Sequence, residues 1–411
     1  MIAEFDLERF IAEHVIGRSE SMFAEDLAAH DTELRQAIEG RSALVIGGAG
    51  TIGGAFVREL LRYRPGRLVV LDTSENGLTE LTRDLRSTAG QYVPEQYTTY
   101  PIDFGSPTFA RLLRAVGPFD IVAHFAAHKH VRSEKDRFSI EAMVGNNVLA
   151  TVRLLDLLSA EDMRPERFFC VSTDKAANPA NVMGATKKLM EDAVLAYAAA
   201  GLVPATTARF ANVAFSNGSL PAGFLERLAK GQPLSAPADV RRYFVSPRES
   251  GQLCLVACML GAPGEIVFPR LEASMMKSFD QIADALLYEL GYTPEVHDTE
   301  EGARAAAATR DPSSRTWPVH YFASDTSGEK PAEEFHTEDE PIDLERFAAL
   351  GVVRQHPDDA FSVEQVRDMV EELRELFARE QLEKAEIVEV LSRLVPTLHH
   401  VETGRGLDQR M

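Results

Sequence analysis

The chain has 411 residues, with 43 Lys and Arg against 63 Asp and Glu, so its formal net charge is −20 at pH 7. Hydrophobic residues make up 45% and charged residues 26%, enough apolar mass for the cores of two or three ordinary globular domains. This excludes broad binding to a nucleic-acid backbone, which needs clustered Lys and Arg, and three scattered cysteines exclude a disulfide framework.

In chain order, residues 1–42 read as short helices. Phe10, Ile11, Val15 and Ile16 form an apolar stripe, and Phe23 and Leu27 continue it after a break at Gly17 to Ser19. The opening MIAEFDLERF has neither the basic start nor the apolar stretch of a signal peptide. No window approaches the roughly 18 consecutive apolar residues of a membrane span. A reduced, cytoplasmic protein with no membrane partner is expected.

At residue 43 the period changes. Residues 43–46 are a short apolar run ending in glycines, a helix-like stretch runs to Tyr63, and 68–71 is a second apolar run. Strand-like runs recur at 120–124, 168–172 and 206–210, with helix-like stretches at 106–115, 139–159 and 183–200. Such alternation specifies βαβ units and a parallel sheet covered on both faces. The expected class is α/β: a doubly wound, parallel-sheet Rossmann domain at 43–212, a smaller α/β substrate domain at 213–344, and helical N- and C-terminal extensions at 1–42 and 345–411.

Pro and Gly become frequent after 212. Cys254 and Cys258, four apart in CLVACML, are expected to share one buried helix face. A helix at 278–290 precedes an expected loop at 297–315. Near the end, Ser362 and Gln365 form a capping box leading into Val366, Val370, Leu373 and Phe377, and Ile387, Leu391 and Leu394 make a second stripe. These apolar positions on charged helices need a partner surface, either the body of the protein or another subunit. Residues 321–411 hold 22 acids and 10 bases, which places any anion site upstream.

Gly47, Gly50 and Gly53 give G-x-x-G-x-x-G between the first strand and its helix. A tight turn, close approach of a pyrophosphate to backbone N–H groups, and helix–strand packing each require a missing side chain. Asp72 ends the next strand nineteen residues after Gly53, where a carboxylate accepts from ribose hydroxyls and repels a 2′-phosphate. The expected cofactor is NAD rather than NADP. His124, His128 and His130 lack a closed ligand set, so no metal is expected.

The short-chain dehydrogenase pair Tyr-x-x-x-Lys is absent, since no lysine has Tyr four residues before it. Instead 172–179 reads STDKAANP and 181–187 reads NVMGATK, which places Met183 four residues before Lys187. This segment resembles the signature of nucleotide-sugar 4,6-dehydratases of the capsule and polysaccharide-biosynthesis type, extended short-chain dehydrogenases that act on UDP-N-acetylglucosamine. The runs at His124 to Val131, Asn147 to Thr151, Arg209 to Val213, Arg242 to Phe244 and Gly328 to Glu334 are similar to further family motifs in the same order. The likeness spans about 43–335. The family's arginines are missing at Asn217 and in Asp325-Thr326-Ser327.

The resemblance implies dehydration of a nucleotide sugar, a UDP-sugar above all. Hydride leaves C4, the resulting ketone acidifies C5–H, the C6 hydroxyl departs as water, and hydride returns at C6. It implies Asp174 as the acid at the departing hydroxyl, Lys175 as the base at C5, Thr173 at the 4-hydroxyl beside Met183, and Lys187 on the nicotinamide ribose. Thr51, Ile52, Asp103 and Ala126 would join the glycines and Asp72 around the cofactor. Lys129, Asn147, Asn212 and Arg242 would face the substrate, Arg242 through its fork of donors to the diphosphate. Lys129 reads equally well as a solvated charge, and Asp174–Lys175 alone would read as a surface ion pair. A nucleotide-sugar epimerase and a non-catalytic NAD-binding or assembly protein are the rival readings. A homo-oligomer is expected from the long helices and the stripe at 366–377.

Overall fold

The computed structural model describes residues 5–130, 134–324, 333–354 and 361–400. Val131 and the residues 325–330, which carry parts of the resemblance, lie outside them.

The N-terminal segment forms helices α1 (Leu7–Phe10), α2 (Ala24–Ala29) and α3 (Asp31–Ile38). The Rossmann alternation follows: β1 (Ser42–Ile46), α4 (Thr51–Leu61), β2 (Arg67–Asp72), α5 (Glu75–Ser87), β3 (Gln96–Pro101), α6 (Pro107–Val116) and β4 (Ile121–His124). It continues through α7 (Arg137–Val144), α8 (Ala150–Leu158), β5 (Arg167–Val171), α9 (Val182–Ala199) and β6 (Ala205–Ala208). A π-helical turn at Gly145–Leu149 joins α7 to α8. The five strands read from sequence and the helices between them are all present; β3, polar and proline-ended, was not anticipated.

Beyond 208 come β7 (Asn212–Val213), α10 (Leu220–Ala229), β8 (Leu234–Pro237), β9 (Arg241–Arg242), β10 (Phe244–Val245), α11 (Pro247–Leu260) and β11 (Glu265–Pro269). Then follow β12 (Lys277–Ser278), α12 (Phe279–Glu289), β13 (Thr293–Val296), α13 (Glu300–Thr309) and β14 (Thr316–Phe322). The chain ends with β15 (Ile342–Asp343), β16 (Leu350–Arg354), α14 (Val363–Phe377) and α15 (Lys384–Leu394). The stretch 297–315, expected as a loop, contains α13: Thr299 caps a helix whose interior is mostly alanine, so helix propensity prevails.

The main sheet has nine strands in the order β15-β16-β11-β6-β5-β4-β1-β2-β3. Its β3-to-β11 portion is parallel, and β16 and β15 add an antiparallel edge. The order reverses between β1 and β4, the switch point at which ligands enter doubly wound sheets. The sheet takes strands from both sides of residue 212, because β11 and β16 return to it. The C-terminal part contributes β16 before its two helices, a strand that ALGVVR conceals among polar neighbours. A separate three-stranded sheet, β13-β14-β8, lies in the second half of the chain.

Two cores cover the sheet faces, one built with α7, α8, α9, α14 and α15 and the other with α4, α5 and α11. Cys254 and Cys258 share a buried face of α11, as expected, and the helix is buried all round from Glu249 to Leu260. Phe10, Ile11 and Val15 pack with Phe215 and Phe224 in a third core.

Candidate active site

The glycine turn is fixed by packing. Gly47 has φ +79°, and a Cβ there would sit 2.5 Å from the Ala126 nitrogen. A Cβ on Gly53 would sit 2.2 Å from the Gly47 carbonyl oxygen. Gly50 differs: its Cβ would meet only that same carbonyl, at 3.5 Å, an ordinary contact. Nothing in the protein itself forbids a methyl group at Gly50, so the space it leaves faces outward at the N-terminus of α4, a position suited to an anion. Asp72 holds the turn from β2: one oxygen accepts from the Ala49 N–H at 3.0 Å and the other from the Ser74 N–H at 2.9 Å.

Gly47, Gly50, Thr51, Ile52, Gly53, Asp72, Asp103 and Ala126 all line one cavity of about 320 Å³ at the carboxyl ends of β1, β2 and β4. A dinucleotide fits such a site, with a glycine turn for its pyrophosphate and a carboxylate at the end of β2 for its ribose. A second cavity of about 250 Å³ adjoins it, sharing Ile52, Phe125, Ala127 and Lys129, and is lined by Thr173, Asp174, Lys175, Met183, Lys187 and Asn212.

The segment expected to be catalytic follows β5. Thr173 caps a single 3-10 turn, Asp174–Ala176, and its hydroxyl donates to Asp174 Oδ1 at 2.8 Å. Asp174 is 3% exposed, and Lys175 Nζ lies 3.1 Å and 3.2 Å from its two oxygens. Asn181 caps α9 by accepting from the Gly184 N–H at 2.8 Å. A Cβ at Gly184 would lie 2.5 Å from the Lys175 carbonyl oxygen, so this glycine lets α9 press against the Asp174–Ala176 turn. One helical turn later Lys187 is 4% exposed and donates to the Val171 carbonyl at 2.6 Å.

The charges are unevenly tuned. Burial alone would lower the Lys175 ammonium, but attraction to Asp174 and then to Glu333 outweighs it and raises the pKa. Lys187 is lowered by burial, with Cys170 and Glu191 opposing. Burial also lowers Lys129, whose Nζ donates to the Asn217 carbonyl at 3.0 Å where the two cavities meet. Glu333 is raised to about 7, first by burial and then by the neighbouring Asp174.

Glu333 was read from sequence only as part of a late motif. The fold brings it beside Asp174 and Lys175: it accepts from Asn212 Nδ2 at 2.6 Å and from the Tyr243 N–H at 2.8 Å, and Arg242 Nε lies 3.8 Å away. Arg242, expected on the diphosphate, is buried beside Glu333, donates to the Arg241 carbonyl at 2.9 Å, and lines neither of the two cavities. Asn147, expected against the substrate, is 1% exposed. Its amide brackets the His128 backbone, accepting from its N–H at 2.8 Å and donating to its carbonyl at 3.0 Å, and it also donates to Thr186 Oγ1 at 3.1 Å. Asn147 therefore ties the His128 loop to α9 instead of facing either cavity.

Among curated proteins, the chain is 34% identical over 261 residues to the uncharacterized membrane protein MJ1061 of Methanocaldococcus jannaschii, covering 62% of this chain and 74% of that one. It is 30% identical over 303 residues to the probable polysaccharide biosynthesis protein EpsC of Bacillus subtilis, covering 72% of this chain and 49% of that one. The chain thus spans about half the length of EpsC. At lower identity it matches a UDP-N-acetylglucosamine 4,6-dehydratase (inverting) of Campylobacter jejuni, 25% over 238 residues, with coverage of 56% and 67%. A UDP-glucose 4-epimerase of Rickettsia typhi is similar to the same degree, 26% over 242 residues, with coverage of 58% and 68%.

The fold is that of Pen from Bacillus thuringiensis, TM-score 0.63 at 20% identity, over 82% of this chain and 98% of that one. It is also that of the dTDP-glucose 4,6-dehydratase DesIV from Streptomyces venezuelae, solved with NAD and TYD bound: TM-score 0.52, 21% identity, coverage of 69% and 88%. With a family model matched across residues 43–309, the glycine turn and residues 172–187 included, the chain belongs to the polysaccharide biosynthesis protein family.

Proposed function

We propose that the chain is an NAD-dependent nucleotide-sugar 4,6-dehydratase, a lyase that converts UDP-N-acetylglucosamine to its 4-keto-6-deoxy form for surface glycan biosynthesis. The observation that carries this reading is the Asp174–Lys175 pair, 3.1 Å apart in a cavity that adjoins the glycine-turn cavity, with Met183 where Tyr-x-x-x-Lys enzymes place their phenol. NAD, held by the glycine turn, Asp72 and Lys187, would supply hydride acceptance from C4 and hydride return to C6.

The chain's own groups supply the proton chemistry. Elimination across C5–C6 needs an acid at the departing hydroxyl and a base at C5–H, close enough to serve adjacent carbons. In the resting ion pair the shared proton sits on Lys175. Moving that one proton to Asp174 turns the pair into a neutral carboxylic acid and a neutral amine, the acid and base the elimination needs. Asp174 then protonates the hydroxyl that leaves as water, and Lys175 takes the C5 proton. Thr173, which donates to Asp174, is the group this reading assigns to the 4-hydroxyl.

A UDP-glucose 4-epimerase reading draws on relatives of equal identity, but such chemistry at C4 alone gives no task to the Asp174–Lys175 pair. Incubation with a panel of nucleotide sugars, scored by mass, tests the proposal. Loss of water from the UDP-N-acetylglucosamine sample supports it, whereas an isomeric product of unchanged mass would transfer the chain to the epimerases.

A further inference from the structure

The sequence leaves two apolar surfaces in want of a partner: the stripe on α14 and the outer face of α7, α8 and α9. The structure sets them against each other within one chain. Val366, Val370 and Leu373 are between 0% and 5% exposed, and Ile387 and Leu391 are fully buried, in the same core as Ile140, Leu155, Leu189 and Val194. Both C-terminal helices pack on α9.

The contact does not stop at apolar burial. Beyond α15, the His399 N–H donates to the Pro179 carbonyl at 2.9 Å, inside the catalytic segment. Glu134 is the hub: its carboxylate accepts from the Val182 N–H at 2.8 Å, at the first turn of α9, and is bonded on its other oxygen by His400. Lys384 adds a donor to the Glu134 carbonyl at 3.2 Å. Arg137, at the start of α7, donates to the carbonyls of Glu380 and Arg379 at 2.8 Å and 3.2 Å, in the turn between α14 and α15. The Glu134 side chain is only 8% exposed. A buried carboxylate suits a helix N-terminus but is costly without a cation, and Lys384 supplies one, its Nζ 3.8 Å from the Glu134 carboxylate.

We infer that residues 361–400 act as a built-in partner: they occupy in cis the α7–α9 face that a second copy would otherwise cover, and they clasp the end of α9 that carries Met183 and Lys187. The catalytic segment is then held from outside the matched family region, and this face is not offered for self-association. The inference goes beyond the dehydratase reading and does not depend on the identity of the sugar.

Hydrogen exchange and sedimentation on the full chain, on Glu134→Gln, and on a chain ending at residue 360 test it without any turnover measurement. Glu134→Gln weakens a charge-assisted bond, so amides of 179–187 should exchange about tenfold faster or more, while those of β1 and the glycine turn stay unchanged and NAD stays bound. The shortened chain should show the same local loss and should sediment at a higher mass than the full chain. If it does not fold, Glu134→Gln alone decides the clasp, and Val370→Glu in the full chain, expected to raise the sedimenting mass, decides the covered face. Unchanged exchange at 179–187 in Glu134→Gln, or unchanged mass once the C-terminal helices are removed or displaced, would overturn the inference.

Discussion

Lys175 carries the most demanding task in the proposed chemistry, and its resting state sharpens what a substitution should show. Attraction to Asp174 and Glu333 keeps its proton in place, so the amine becomes a base only by giving that proton to Asp174. Lys175→Ala should lower dehydration by about 10²–10⁴-fold with NAD still bound, and Lys175→Arg should not restore it, because a guanidinium does not yield its proton. A Lys175→Arg enzyme running near the parent rate, measured by water loss, would move the base elsewhere, with Lys129 next in line. Glu333 makes a separate prediction. Its folded pKa of about 7 lies above the 4.5 of an unperturbed Glu, so the folded state favours the protonated form. The stability this confers is complete below about pH 4.5 and is lost as pH rises toward 7, by at most about 3 kcal/mol. Glu333→Gln keeps the neutral form at every pH, and the Asn212 amide can turn over to meet it. Relative to the parent, Glu333→Gln should therefore melt higher at pH 8 than at pH 5, and a constant difference between the two would refute the assignment. Asp174, Lys175 and Lys187 were legible in the sequence because one short segment carries them. Glu333 was not, because only the fold brings residue 333 to residue 175, and Asn147 was misplaced because residue type does not reveal that its amide is already spent on His128.

Among the elements, the strand–turn–helix β1–α4 shows how one motif mixes two requirements. Gly53 is required by packing, since its Cβ would lie 2.2 Å from a carbonyl oxygen, whereas Gly50 has only a 3.5 Å contact to fear. Gly53→Ala should destabilise the fold by about 1–3 kcal/mol, as overpacking of a close backbone approach does. Gly50→Ala should leave the melting temperature of the NAD-free protein unchanged and weaken NAD binding, because its empty space serves the ligand. Calorimetric titration beside a thermal melt separates the two, and equal behaviour of both variants would show that the distinction is wrong. The alternation that made β1, β2, β4, β5 and β6 readable comes from burial on both faces, which leaves unbroken apolar runs. Edge position hides the others. β3 is partly exposed and reads QYTTYP, β15 is two residues long, and α13 was obscured by the charged and glycine-bearing residues around its alanines.

Across the whole molecule α9 is anchored twice, by the C-terminal helices near its start and by a buried charge cluster farther along. Arg209, the largest of the fully buried side chains, leaves the end of β6 with all its donors engaged. Nε and Nη2 donate to Glu191 of α9 at 2.9 Å and 2.7 Å, Nη1 and Nη2 donate to Glu340 at 2.7 Å and 2.9 Å, and Nη1 also donates to the Phe335 carbonyl at 3.2 Å. This single side chain ties α9 to the segment that carries Glu333 and leads to the β15–β16 edge. In the sequence it is only the first residue of a family-like run; the fold makes it a core joint, which no local pattern could disclose. Arg209→Met should cost about 3–5 kcal/mol, because Glu191 is left fully buried as an unpaired carboxylate, while Glu340, partly exposed, can turn to water. The double variant Arg209→Met, Glu191→Leu removes that orphan charge and should recover more than half of the loss in the midpoint of chemical denaturation. A double variant as unstable as the single one would place the cost in the lost links to Glu340 and Phe335 rather than in the stranded charge.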